Sequence, residues 1–198
     1  MVKLLIKRSY FPETMLEEIV LFLKKPVYKE EASTSIHRKL IYIVKLAILA
    51  ISLSVVLSLL IGLMESIFGL ELGKHAMDDF LENYPIIYLL LFAVIGAPLI
   101  EELLFRGPMV WFRQSKFFPI AFYVLTAGFG FLHISNYEMS PQNLLLSPIL
   151  VAPQLAAGLL LGFTRVKFGL LYSILLHALY NLILVGPIFV FKLLDIPM

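Results

Sequence analysis

Cysteine is missing from all 198 residues, so disulfides, thiolate zinc sites and a cysteine nucleophile are excluded together. Charge is scarce as well. Charged residues make up 15% of the chain against 60% hydrophobic residues, with a mean hydropathy of +0.92, and they fall between long apolar runs. That distribution implies an integral membrane protein rather than a soluble domain with a large core. The net charge is only +2 and no basic run is interleaved with aromatics, which argues against a nucleic-acid partner and leaves the lipid bilayer as the partner the composition implies. Aspartate is absent from every apolar run and HExxH occurs nowhere, excluding an intramembrane aspartyl dyad and that zinc motif. Neither an internal repeat nor a low-complexity segment is found. The opening apolar stretch is broken by Lys3, Lys7 and Arg8, too early for a cleavable signal peptide.

What remains is apolar sequence of membrane-spanning length. The fold expected is all-α and polytopic, with about five transmembrane helices. The first span is read at Leu40–Met64, where Lys45 lies near the start and can snorkel to the interface. An acidic connection, Glu65 to Tyr84, leads to a second span from Pro85; the third runs Pro119 to Ile134, the fourth Asn143 to Thr164, and the fifth begins near Phe168. After Gly186 and Pro187 the apolar remainder is too short for another crossing of about 20 residues, so it extends the fifth helix or turns back along the interface. Residues 1–39 form a separate N-terminal arm and residues 40–198 the transmembrane domain. Within the arm, Leu16, Ile19, Val20 and Leu23 fall on one helical face, the pattern of an interfacial amphipathic helix. Basic residues populate the arm, the Arg106–Lys116 connection and the Arg165–Lys167 turn, whereas the other two connections hold only Lys74. The positive-inside rule therefore expects a cytoplasmic N-terminus and, after five crossings, an external C-terminus, where Lys192 and Asp195 cancel.

Against this background a few polar residues stand out. Glu101, Glu102 and Arg106 lie inside the second span, where each ionised group costs about 2.5–3.5 kcal/mol on insertion scales, and such residues mark function by default. The third span carries His133, four residues after Phe129; the fifth carries His177 and Asn181, again four apart. If the second helix continues to about Arg113, Glu101 and His133 each lie ~20 Å from the intervening turn and His177 ~15 Å from its own. The groups then meet at one depth. At about 100° per residue Glu102 and Arg106 share a face and can pair, while Glu101 points away from Glu102 towards a cavity. Pro108 would release the Leu104 carbonyl and kink the helix. Phe129 is read as packing that holds the His133 ring, and His37 and His75 are assigned no role.

An apolar cavity disfavours a charged carboxylate, which strengthens it as a general base near neutral pH. Glu101 can then deprotonate a water held jointly with His133, while His177 and Asn181 donate hydrogen bonds to the oxyanion formed on an amide carbonyl. Zinc held by Glu101, His133 and His177 is the competing use of the same atoms. A serine hydrolase built on Ser173, which shares the His177 face, is a third reading, although a helical serine more often bonds its own backbone. A reading from another class is a membrane scaffold, immunity or regulatory protein that keeps the cluster for structure or partner binding.

The three motifs, EExxxR at Glu101, Glu102 and Arg106, FxxxH at Phe129 and His133, and HxxxN at His177 and Asn181, resemble those of the CAAX prenyl endopeptidase and bacteriocin-processing family (CPBP) of intramembrane proteases, over about Leu91 to Val185. The resemblance implies a helical core at about 86–185 with its site open towards the cytoplasm or inner leaflet. It implies endopeptidase activity, with Glu101 as the water-activating base, His133 holding the water, His177 and Asn181 stabilising the oxyanion, and Glu102 and Arg106 in support. Such proteins have been described both as metalloproteases and as metal-independent glutamate proteases. Asn181 is an unusual zinc ligand and a natural oxyanion donor, so no cofactor is favoured. The substrate implied is a peptide or membrane-protein segment, lipidated in the eukaryotic relatives, and the short chain is similar to prokaryotic members, placing it in a prokaryotic cell membrane.

Overall fold

The structure, a computed structural model, describes residues 14–194. Lys3, Lys7, Arg8 and Asp195, used above for the signal-peptide and C-terminal readings, lie outside the described residues. Within them the chain is helical, with no strand. We number the helices α1 (Met15–Lys24), α2 (Ile36–Phe68), α3 (Ala76–Asn83), α4 (Ile86–Phe112), α5 (Phe118–Asn136), α6 (Pro141–Leu150), α7 (Ala152–Phe168) and α8 (Leu170–Leu193). Four of them, α2, α4, α5 and α8, are long and apolar enough to cross a membrane, and the bent pair α6 and α7 makes a fifth candidate. The expected all-helical, polytopic architecture is what the chain adopts.

The differences lie in detail and have local causes. The fourth span was expected as one helix; it is broken at Val151 and bent by 41°. Pro153 has no N–H to give the Ile149 carbonyl and its ring crowds that turn, while Pro148 removes a second bond just upstream. By contrast α8 passes through Pro187 without a break, so the apolar remainder extends that helix. The connection read as acidic loop contains α3, whose first turn holds Asp78 and Asp79 and whose N-terminus is capped by the His75 ring accepting from the Met77 N–H at 3.2 Å. Asn143 donates to the Leu72 carbonyl at 2.8 Å and to that of Glu138 at 2.9 Å, and the His75 ring stands edge-on to Tyr137 at 5.3 Å. These contacts tie two loops together at one end of the bundle.

The basic stretches gather at the opposite end. Thr14 caps α1 by accepting from the Glu17 N–H at 3.2 Å, and Phe22 wedges between Phe122 of α5 and Phe163 of α7, edge-to-face at 5.1 and 5.3 Å. The inward face of α1 is thus Ile19, Phe22 and Leu23, while Leu16 and Val20 are 55% and 48% exposed; periodicity gave the apolar residues of α1 but placed them all on one side. Lys167 bonds Glu31 at 2.7 Å and also Glu18, and the Arg165 Nη1 donates to the Tyr28 hydroxyl at 2.8 Å. Gly169, at φ +95°, provides the left-handed reversal from α7 into α8 that a side chain would strain.

Helices α5 and α7 approach closely because small residues line their seam. A Cβ at Gly158 would sit 3.0 Å from the Phe129 ring and 3.3 Å from the Arg106 guanidinium, and one at Gly162 would sit 2.6 Å from the Phe122 ring. Small residues at such seams let helix backbones pack without a hydrophobic driving force.

At the loop end, burial lowers the His75 pKa from its usual value, only partly opposed by Asp78. A lowered histidine pKa means that the unfolded chain binds the extra proton first, so its contribution to stability is present at neutral pH and is lost as pH falls below about 6.5. Protonation also removes the ring lone pair that caps α3. Hydrogen exchange at residues 76–83 is therefore expected to speed up between pH 7.5 and pH 5 in the wild type, beyond the intrinsic pH effect, and not in His75→Ala. Equal behaviour of the two proteins would refute the assignment.

Candidate active site

Three helices deliver the polar residues to one place. In α4 the buried Glu102 carboxylate lies 3.3 Å from the Arg106 guanidinium, one turn on, and both side chains are fully removed from solvent. Arg106 is held from three sides. Its Nη2 donates to the Gly158 carbonyl at 3.1 Å, its guanidinium lies 3.9 Å from the Phe129 ring centroid, and its backbone carbonyl accepts from Arg165 Nε at 3.1 Å. The last bond exists because the helix narrows after Arg106 into the tighter turns of Gly107–Phe112, with Pro108 at their start.

Glu102 pairs with Arg106 and Glu101 lies apart from it, as the helical spacing places them, with an addition. Glu102 also takes the His177 ring, Nδ1 to Oε1 at 3.1 Å, and accepts from the Ser173 hydroxyl. That serine also lies 2.9 Å from the Leu161 carbonyl, so its oxygen is bound to Glu102 and backbone rather than to a histidine acting as its base. Glu101 turns the other way. Its Oε2 is buried without a hydrogen-bond partner, 3.9 Å from His133 Nε2 and 3.8 Å from His177 Nε2. Helices read as meeting at one depth do meet.

The hydrogen bonds fix the tautomers. His133 Nδ1 faces the Phe129 carbonyl at 2.9 Å, and a carbonyl only accepts, so Nδ1 carries the proton and Nε2 of the neutral ring presents a lone pair to Glu101. His177 likewise directs Nδ1–H at Glu102. Phe129 contacts the whole assembly: its ring lies 4.9 Å from His133, stands edge-on to His177 at 5.6 Å and carries Arg106 on its face. The packing role read for it is correct and wider than one histidine.

Asn181 is placed differently from the other residues. Its Nδ2 donates to the Ala93 carbonyl at 2.7 Å. Residues Phe92–Gly96 form one wide turn in which the Ala97 N–H bonds Phe92, and the next residue, Pro98, has no N–H. Ala93 is therefore left without a backbone donor, and Asn181 supplies one from α8. Ala93 was missed in the sequence; Pro98 was the signal, since its missing N–H orphans a carbonyl four or five residues earlier.

Zinc would draw on Glu101, His133 and His177. Donors on a tetrahedral ion at about 2.0–2.1 Å lie roughly 3.3–3.4 Å apart, whereas these atoms are 3.8 and 3.9 Å from the shared carboxylate oxygen. The described residues contain no group of three His, Cys, Asp or Glu side chains spaced to hold a metal ion.

A sequence profile of type II CAAX prenyl endopeptidase Rce1-like proteins matches residues 83–183. The chain belongs to that family. The matched segment runs from the end of α3 into α8 and contains all three motifs. No curated protein and no solved structure matches the chain. Membership of the CAAX prenyl endopeptidase family supports peptidase activity on a peptide or protein, and its apolar helices support residence in a membrane.

Proposed function

We propose that the protein is an intramembrane endopeptidase that hydrolyses a peptide bond with a water activated by Glu101. The observation that carries this reading is the position of Glu101 Oε2, unpartnered and between two imidazole nitrogens at 3.8 and 3.9 Å. Those separations exceed a direct hydrogen bond and leave the carboxylate oxygen to be satisfied by water. Such a water would give one hydrogen to Glu101 and the other to the His133 Nε2 lone pair, leaving an oxygen lone pair for the substrate. As the oxygen bonds the carbonyl carbon, its proton passes to Glu101 and the carbonyl electrons move onto oxygen. Glu101 then returns the proton to the leaving nitrogen as the C–N bond breaks.

The oxyanion needs donors. Asn181 has a second N–H beyond the one given to Ala93, and His177 directs Nδ1–H at Glu102, which fixes the orientation of its ring beside Glu101. Arg106 neutralises Glu102, and Ser173 orients it. The substrate is a peptide or membrane-associated protein segment, lipidated or not, cut near the cytoplasmic interface of a prokaryotic cell membrane, with the N-terminus on the cytoplasmic side.

A quenched-fluorescence peptide library presented to purified protein in detergent tests the activity. Cleavage is expected to survive chelation, with no stoichiometric zinc by elemental analysis; zinc whose removal abolishes turnover would replace the metal-free mechanism. Ser173→Ala is expected to keep cleavage within about tenfold of wild type, because it removes one of the bonds orienting Glu102, each worth about 1 kcal/mol. Complete loss with a covalently labelled serine in the wild type would make Ser173 the nucleophile.

A further inference from the structure

Among the described residues, the buried side-chain atoms that lack a hydrogen-bond partner are not scattered. They are Glu101 Oε2, Arg106 Nε and Nη1, Thr126 Oγ1, Gln154 Oε1 and, at the loop end, Asn143 Oδ1. Glu101, Arg106 and Thr126 lie in or beside the cluster around Phe129, and Gln154 lies one turn from Gly158, where a Cβ would meet Phe129, Thr126 and Arg106. Glu101 and Arg106 have roles in the mechanism, but Gln154 has none, and neither its oxygen nor its nitrogen is hydrogen-bonded to another described residue. A buried amide oxygen without a partner costs stability, and native proteins retain such groups for a ligand or for ordered water.

The register of α5 against α7 places it. These helices run antiparallel, with Phe122 against Gly162, Phe129 and Thr126 against Gly158, and Leu155 against Gly130. Gln154 is one turn before Gly158 and shares its face; His133 is one turn after Phe129. Both steps lead the same way along the seam, so Gln154 stands at the depth of His133. It also occupies the first turn of α7 after the break at Val151, where the bend carries α6 away from the line of α7.

We propose that Gln154 is a substrate-binding residue whose amide hydrogen-bonds the backbone of the peptide lying across Glu101 and His133. An extended peptide entering an apolar bundle brings unpaired N–H and C=O groups that must be satisfied there. A glutamine amide offers both an acceptor and donors. Its oxygen takes a backbone N–H one or two residues from the scissile bond and so fixes which carbonyl faces the water. This inference rests on the endopeptidase reading and adds the means by which the substrate strand is held.

The test compares Gln154→Leu, Gln154→Glu and wild type on a fluorogenic peptide that wild type cleaves and on the same peptide with one flanking amide replaced by an ester, which removes a single N–H donor. Wild type is expected to lose about tenfold in kcat/KM on the ester, mostly through KM, whereas Gln154→Leu loses about tenfold on the amide and shows no further loss on the ester. Gln154→Glu, which keeps an acceptor, is expected to retain discrimination between amide and ester. The Tm of Gln154→Leu in detergent is expected to equal or exceed that of wild type, because no internal partner is stranded. A fall in Tm of several degrees, or ester discrimination by Gln154→Leu equal to that of wild type at every flanking position, overturns the proposal. Glu101→Gln is run in parallel. If it cleaves normally, the endopeptidase mechanism fails and this inference with it; if it is inactive while Gln154→Leu behaves as wild type, only the role of Gln154 falls.

Discussion

Glu101→Gln lowers peptide cleavage by at least about 10³-fold while leaving thermal stability unchanged or slightly raised. Removal of a positioned general base typically costs 10²–10⁴, and here the same oxygen would also hold the attacking water, which puts the effect towards the upper part of that range. Stability does not follow, because Glu101 Oε2 has no hydrogen bond to lose, faces two ring nitrogens at 3.8 and 3.9 Å, and leaves Arg106 its direct ion pair with Glu102. Glutamine has nearly the same volume, so the packing persists. Turnover on the library peptide and a melting curve in the same detergent measure the two quantities separately. Retention of more than a tenth of wild-type turnover would remove Glu101 from the chemistry; a melting point lowered by several degrees would make it a structural residue.

Arg106→Leu has the opposite signature, a large loss of stability. Removing one partner of a buried ion pair strands the other charge and costs about 3–5 kcal/mol, and in this case Glu102 is fully buried with Arg106 as its only cationic neighbour among the described residues other than the His177 ring. The substitution also removes the guanidinium from the face of Phe129, whose edge supports His177. Pairing it with Glu102→Gln removes the stranded charge, so the double variant is expected to regain most of the stability in a denaturant or thermal series. Activity is not regained, because His177 Nδ1 then faces an amide rather than a carboxylate and the hydrogen bond that orients its ring is weakened. A double variant as unstable as the single one would show that Arg106 acts through packing and its bonds to α7, with little coupling to Glu102.

Much of this site was legible in the sequence because helix geometry is a short-range property. The four-residue spacing of Glu102 and Arg106 sufficed to pair them and to turn Glu101 elsewhere, and counting residues from two turns sufficed to bring Glu101, His133 and His177 to one depth. The bond from His177 to Glu102 was not legible, since it depends on the rotation of α8 against α4 and on where Ser173 falls between them. The break between α6 and α7 was written in Pro148 and Pro153, yet continuous apolar character across Asn143–Thr164 concealed it: hydropathy reports burial in lipid and is blind to missing N–H groups. The same blindness hid Ala93, whose carbonyl is exceptional only because Pro98 follows it. For α1, composition identified an amphipathic helix, but the side of it that docks is chosen by Phe122 and Phe163, residues a hundred or more positions away.

The wide turn at Phe92–Gly96 has a consequence for the phase of α4. A turn closed by the Phe92–Ala97 bond holds one residue more than a regular turn, and each residue advances a helix by about 100°. The apolar stripe of Ile86–Leu91 and the stripe that follows Ala97 are therefore out of step, and a single helical wheel drawn through both would aim Glu101 wrongly. The turn works as an angular offset, setting independently which side of α4 meets the bilayer at one end and which side meets the histidines at the other. Asn181, by holding the Ala93 carbonyl, locks that offset from the same helix that presents His177.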